Sequence, residues 1–227
     1  MFLLDTPVSA AHDIVGSLAG MLAPLGEPAT AAAIVLFTLA VRLVLLPLGI
    51  AQARGERSRM ELAPRLQALR KKHAKDPRRL QRETADLYAK EGVSPAAGCL
   101  PALAQWPFFA VMYQLFVSAT VAGHQNLLLA HTLLGAPLGQ NLLSVGLFSS
   151  GTLVFAGLLV LLALVAWWSS RRVSAEGPLG NVARALPFAT VAVAAFVPLA
   201  AGLYLLVSGA WTAAERAVLH RRIVAAA

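Results

Sequence analysis

Apolar runs of membrane-spanning length dominate the chain and are separated by one long polar segment and two short basic ones. Ala29 to Ile50 is a 22-residue apolar run, enough for a helix across a bilayer core of about 30 Å, so a first span is expected at residues 29–50. Before it, residues 7–22 alternate apolar and small polar side chains without a basic face, which predicts a short helix lying on the outer membrane surface. Residues 52–92 are of a different character. Met60, Leu62, Leu66, Leu69, Leu80, Leu87 and Tyr88 keep helical spacing among charges, and Lys75-Asp76-Pro77 interrupts it. Asp76 suits the N-cap and Pro77 the first turn of a second helix, and Gly92 suits its end, so an antiparallel helical hairpin in water is expected. A second span follows at residues 99–120, with Pro101, Gln105, Pro107 and Gln114 inside it. Residues 121–150 carry no acid, Lys or Arg and read as an outer loop partly embedded in the interface; a third span is expected at 151–168.

The last apolar stretch, residues 185–214, is 30 residues long. One straight helix would reach about 45 Å, more than the bilayer core needs. Pro198 and Gly202 interrupt its middle, so two short spans are expected, 185–197 and 199–216. Charge placement supports an even number of crossings here. Arg184 lies before the stretch and Arg216, Arg221 and Arg222 after it, and the positive-inside rule puts both groups on the cytoplasmic side.

Composition agrees with this reading: of 227 residues 58% are hydrophobic and 13% charged, and mean hydropathy is +0.67. A soluble domain carries about 25% charged residues. The expected fold class is an all-α integral membrane protein, one domain over residues 1–227, with five transmembrane helices, the N-terminus outside and the C-terminus cytoplasmic. The acidic N-terminus lacks the basic start of a secretory signal and is expected to stay attached. Cys99 is the single cysteine, which excludes an internal disulfide framework. Of 19 Lys and Arg, 12 fall between Arg54 and Lys90. Positive-inside topology alone accounts for such a run. A contact surface for anionic headgroups, ribosomal RNA or client protein is the functional alternative, with Arg65, Arg70, Lys71, Lys72, Arg78, Arg79 and Arg82 as its candidates.

Arg42 is the one charge inside an apolar run, eight residues before the expected end of its span. That places it about 12 Å along the helix from the cytoplasmic end, deep for easy snorkelling. None of the 11 Asp and Glu falls inside the apolar runs, so an unmatched guanidinium implies water reaching it through a cavity. Thr38 at i−4 and Gly49 at i+7 share its face. Gln105 is the best polar neighbour from the second span. Gln114 joins it only if Pro107 rotates the later half of that helix, since nine residues are about 180° of an ideal helix. Thr190, Ser208 and Thr212 are further polar candidates from the last two spans, although such residues more often serve helix packing.

The segments VRLVLLPLGIAQ and PRLQALRKKHAKDPRRLQRETADLYAKEGVSPAAGCLPALAQWPFFAVMYQLF, with the later FVPLAAGLYLLVSG, closely resemble the YidC-type membrane protein insertases. The matching segments cover about residues 34–116 and 185–222. The resemblance implies a five-helix core around a hydrophilic groove open to the cytoplasm and the lipid, kept hydrated and positive by Arg42, with Gln105 at the family's second-span glutamine. It implies insertion and folding of nascent membrane proteins in the bacterial plasma membrane, with short hydrophilic segments passing through the groove. It leaves open whether the Sec translocon and the ribosome take part, and implies no cofactor, no DNA and no enzymatic step. Two departures stand out. Tyr204, in the groove set by resemblance, is followed by Leu205 where many relatives have tryptophan, and AWWSS ends the third span where a glutamine is common. No long basic tail follows Trp211, so any ribosome contact is expected on the hairpin and on Ser169 to Arg184.

A small transporter or channel is the rival reading of an intramembrane arginine, but it calls for polar residues from several spans and a route open on both sides. A membrane enzyme finds no support. His12, His73, His124, His131 and His220 form no HExxH motif or carboxylate cluster, and no phosphate-binding GxxxxGK[ST] loop is present.

Overall fold

The computed structural model describes residues 2–94, 100–121, 123–146, 149–172 and 180–225. Cys99, the expected first residue of the second span, and much of the loop from Ser169 to Arg184 lie outside the described residues. The helices run in the order α1 (Phe2–Met21), α2 (Ala29–Val44), α3 (Leu46–Lys72), α4 (Pro77–Lys90), α5 (Leu100–Val117), α6 (Ser150–Ser170), α7 (Gly180–Phe196) and α8 (Leu199–Ala225). Four two-residue strands lie between α5 and α6: β1 (Thr120–Val121), β2 (His124–Gln125), β3 (Thr132–Leu133) and β4 (Ala136–Pro137). The chain separates into two compact units, Met1–Leu43 with Phe108–Ala217, and Val44–Pro107 with Val218–Ala227.

The first unit is built on α1, α2, most of α5, and α6 to α8. Its α1 starts at Phe2 rather than at residue 7 and buries Val8, Ala11 and Val15, the i, i+3, i+7 stripe of an amphipathic helix. The core also takes Ile34 and Phe37 from α2, Leu115 and Phe116 from α5, Phe155, Leu158 and Leu162 from α6, and Leu199, Ala200 and Ala201 from α8. Large apolar side chains on other faces stay exposed, among them Leu153, Val160, Leu161 and Leu164 of α6.

The first expected span is not one helix to residue 50. It stops at Val44 and restarts at Leu46, with Leu45 between and Pro47 in the new first turn. Pro47 has no N–H to donate, and its ring crowds the carbonyl four residues back, which breaks the ladder. Arg42 therefore stands in the last turn of α2, where the helix dipole favours a cation. Gly49 lies beyond the break and does not extend Arg42's face.

The segment expected as a loop folds into two small hairpins. β1 pairs antiparallel with β2 (Thr120 opposite Gln125), and β3 with β4 (Thr132 opposite Pro137). Leu134 (φ 52°) and Gly135 (φ 80°) turn the second hairpin, a two-residue turn with both residues left-handed. Gly135 N–H donates to Glu27 Oε1 at 2.6 Å, just before α2. That bond, and a weaker contribution from the Thr132 hydroxyl, holds the Glu27 carboxyl below its ordinary range. The second span also ends earlier than residue 120. Asn126 Nδ2 donates to the carbonyls of Leu115 (2.8 Å) and Ser118 (3.1 Å), closing the end of α5.

The final apolar stretch is two helices that break at Val197-Pro198. A break leaves helix-end groups without intrahelical partners, and in an apolar surround each costs several kcal/mol. The loop between α5 and α6 supplies the partners. Leu199 N–H donates to Gln140 O and Ala200 N–H to Leu138 O, both at 2.9 Å, while Asn141 Nδ2 donates to Phe196 O at 3.3 Å. α7 begins five residues before the expected 185, and α8 continues nine residues past 216. Among the described residues, Gly151–Ser170 alone is long and apolar enough to cross a bilayer unaided; Asn181–Phe196 is apolar but shorter, and α2 qualifies only together with α3.

The second unit contains the polar pair α3 and α4. α3 starts at Leu46, inside what was expected to be membrane, and runs without interruption to Lys72. Asp76 Oδ1 accepts from Arg79 N–H at 3.0 Å and caps α4, with Pro77 at its first position. Arg65 of α3 bonds to Glu91 after α4, and Arg57 pairs with Glu61 at i, i+4 (2.7 Å).

Candidate functional site

One face of α8 carries polar side chains on an otherwise largely apolar helix stretch. Tyr204, Ser208, Trp211 and Glu215 fall at i, i+4, i+7 and i+11, the spacing that places them above one another. Tyr204 and Ser208 are buried, 7% and 6% exposed. The Tyr204 ring lies near Phe109 (6.1 Å between centroids) and Phe116 (6.0 Å) of α5. The Thr212 hydroxyl donates to Ser208 O at 2.9 Å, an intrahelical bond one turn on.

Arg42 faces this surface. Its Nε donates to Ser208 Oγ at 3.4 Å, so the half-buried side chain turns onto a polar helix face and not outward among apolar side chains. Tyr204 and Glu215 both lie within Coulombic range of the guanidinium. This corrects the expectation that no acid accompanies Arg42. Glu215 stands at the foot of the apolar stretch, one residue past the run that the hydropathy pattern delimits, yet helical geometry brings it back to the face that Arg42 meets.

The other expected groove residues divide. Thr38 is 1% exposed, and its hydroxyl donates to Ile34 O of its own helix at 2.7 Å; its proton is committed to the backbone instead of a cavity. Gln114 and Thr190 are half-buried on α5 and α7 in the same unit. Gln105 is half-buried in the second unit. Of the expected set, the structure joins Arg42, Ser208 and Tyr204. Trp211 and Glu215 were missed, though the i+7 and i+11 positions from Tyr204 were visible in the sequence.

The basic candidates also divide. Arg70, Lys71, Lys72, Arg78, Arg79 and Arg82 of the α3–α4 pair are exposed. Arg65 is engaged by Glu91, and Arg65 and Lys72 also line the cleft between the two helices, with Glu83, Asp86 and Lys90. At the end of α6, Arg171 stacks over Trp167 (3.8 Å to the ring centroid) and Arg172 over Trp168 (4.6 Å), two successive cation–aromatic pairs.

Residues 22–226 match the family described as 60Kd inner membrane protein. A relative named membrane protein insertase YidC, from Oceanobacillus iheyensis, is 45% identical over 85 residues, 36% of this chain and 34% of the relative. One of the same name from Zymomonas mobilis is 30% identical over 177 residues, 75% of this chain and 30% of the relative. The chain thus spans about a third of the length of these relatives. A crystal structure described as an active YidC insertase with its first transmembrane domain resolved shares a TM-score of 0.55 and 28% identity, covering 92% of this chain and 45% of that one.

Proposed function

Since the chain belongs to the 60Kd inner membrane protein family, we propose that it is a bacterial inner-membrane insertase for nascent membrane proteins. Five crossings are inferred, with α2, α5, α6, α7 and α8 contributing, the N-terminus outside and the C-terminus in the cytoplasm. The α3–α4 pair then stands in the cytoplasm, where positive-inside topology puts its charge. Anionic lipids meet its exposed bases, and the Sec translocon and the ribosome are candidate partners on the same side.

The observation that carries this reading is the orientation of Arg42 onto Ser208 and Tyr204. A charge retained beside hydroxyls, with donors left over, is supported by water. A hydrated recess reaching partway into the bilayer shortens the apolar path that a polar tail must cross. Arg42 attracts acidic tails into it, and Gln105, Gln114 and Thr190 are the proposed further polar contacts. The membrane potential then favours outward movement of each negative charge by about 2.3 kcal/mol per 100 mV. Chemical hydrolysis has no part in such a cycle; partitioning of the client's apolar segment into lipid drives it.

Arg42→Ala in cells depleted of their own insertase tests this. Insertion of a single-span client with an acidic tail is expected to fall about ten- to a hundredfold, the worth of a charged hydrogen bond of about 1.5–3 kcal/mol. Arg42→Lys should keep part of the activity, because the charge survives while the fork is lost. Full activity of Arg42→Ala would overturn the role given to the charge.

A further inference from the structure

The polar face of α8 contains an acid that the insertion cycle described above does not use. Glu215 lies within Coulombic range of Arg42, and Arg216 acts on it from the neighbouring position. Its Oε1 is buried, and the indole N–H of Trp211, one turn earlier, is the donor that faces it. Here acceptor and donor sit on the same face, four residues apart, next to a cation. Arg42 Nε is committed to Ser208, which leaves the two terminal amino groups of the fork for a carboxylate. Glu215 is near enough to offset the charge but is not the carboxylate that occupies the fork.

We propose that Glu215 is a specificity-determining residue of the groove: it weakens the field of Arg42 at rest, and the acidic segment of a client competes with it for the guanidinium. The inference rests on the insertase reading and adds a selectivity device to it. An arginine with no internal competitor would hold an acidic tail too long to release it outward. A competing carboxylate on the same helix face limits that residence and restores the resting arrangement once the tail has crossed. Trp211, whose indole N–H faces Glu215, positions the acid; it is not assigned contact with the client.

The test uses the full chain in proteoliposomes and two single-span clients that differ only in an acidic or a neutral tail, with insertion scored by protease protection. The readout is the ratio of acidic to neutral insertion. Glu215→Gln is expected to raise the ratio about two- to fivefold, the worth of a partly exposed ion pair, and Glu215→Ala, the second neutral variant, should do the same. Glu215→Asp, which keeps the charge, should remain near the parent ratio. In an Arg42→Ala background the ratio should be low, and Glu215→Gln should no longer change it. An unchanged ratio in both neutral variants, with Arg42→Ala still lowering it, overturns the role of Glu215 and leaves the insertase reading standing. An increase that persists without Arg42 also overturns it. No effect of Arg42→Ala on the ratio removes the reading beneath.

Discussion

Gly202 of α8 meets Leu158 of α6 so closely that a Cβ at position 202 would stand 2.5 Å from Leu158 Cδ2. Leu158 is itself 4% exposed and has little room to give. About two turns further along α8, Gly209 faces Val165 at an ordinary 3.6 Å. The two glycines mark an edge along which α8 and α6 approach through small residues, as membrane helices do. Gly202→Val is expected to lower stability by about 1–3 kcal/mol through overpacking, whereas Gly209→Ala should be near neutral. Thermal unfolding in detergent distinguishes them; equal midpoints for the two variants would refute the close contact.

Ser208→Ala removes the acceptor that orients Arg42 while leaving the charge in place. Insertion of acidic-tailed clients should drop severalfold, less than with Arg42→Ala, in keeping with about 1 kcal/mol for one long hydrogen bond. A loss as large as that of Arg42→Ala would mean that orientation and not charge is decisive.

Glu27 supplies a dependence on pH. Its folded-state carboxyl titrates below the ordinary value of 4.5 because it accepts from Gly135 N–H. A depressed folded value means that the contribution is complete above about pH 4.5 and is lost as pH falls from there through the folded value. The parent protein should therefore lose thermal stability over that acidic window, and Glu27→Gln should flatten this part of the profile. An identical profile for the two proteins would show that the bond contributes nothing.

Asp76→Ala deletes the cap of α4. The expected cost is about 1 kcal/mol, confined to the α3–α4 pair, so hydrogen exchange should quicken at Arg79 and its neighbours while α6 and α8 remain protected. Uniform acceleration throughout the chain would contradict local capping.

Legibility in the sequence varied with the range of the signal. The hairpin turn was readable because Asp76 and Pro77 act within one turn of chain, and the Pro198 break because length and charge together excluded a single helix. The break at Leu45 was missed because its cause, Pro47, sat inside a hydropathy pattern that remained apolar on both sides. The Thr38 bond was not legible for a related reason: sharing a helix face with Arg42 does not decide whether a hydroxyl donates to the carbonyl four residues back. Glu215 escaped notice because acids were weighed against the apolar run that ends at Ala214 and not against the longer expected span 199–216, which contains it. The two strand pairs between α5 and α6 are too short for alternation to announce them.

The carbonyls of Leu138 and Gln140 hold the first N–H groups of α8, and Asn141 holds the last carbonyl of α7. A surface loop is thereby spliced into the hydrogen-bond ladder of two helices that lie more than fifty residues further along the chain. It forms one hydrogen-bonded set with Phe196 to Ala200, and a chimera that exchanges this loop between relatives without its helical counterpart should open the α7–α8 joint even where every apolar position has been matched.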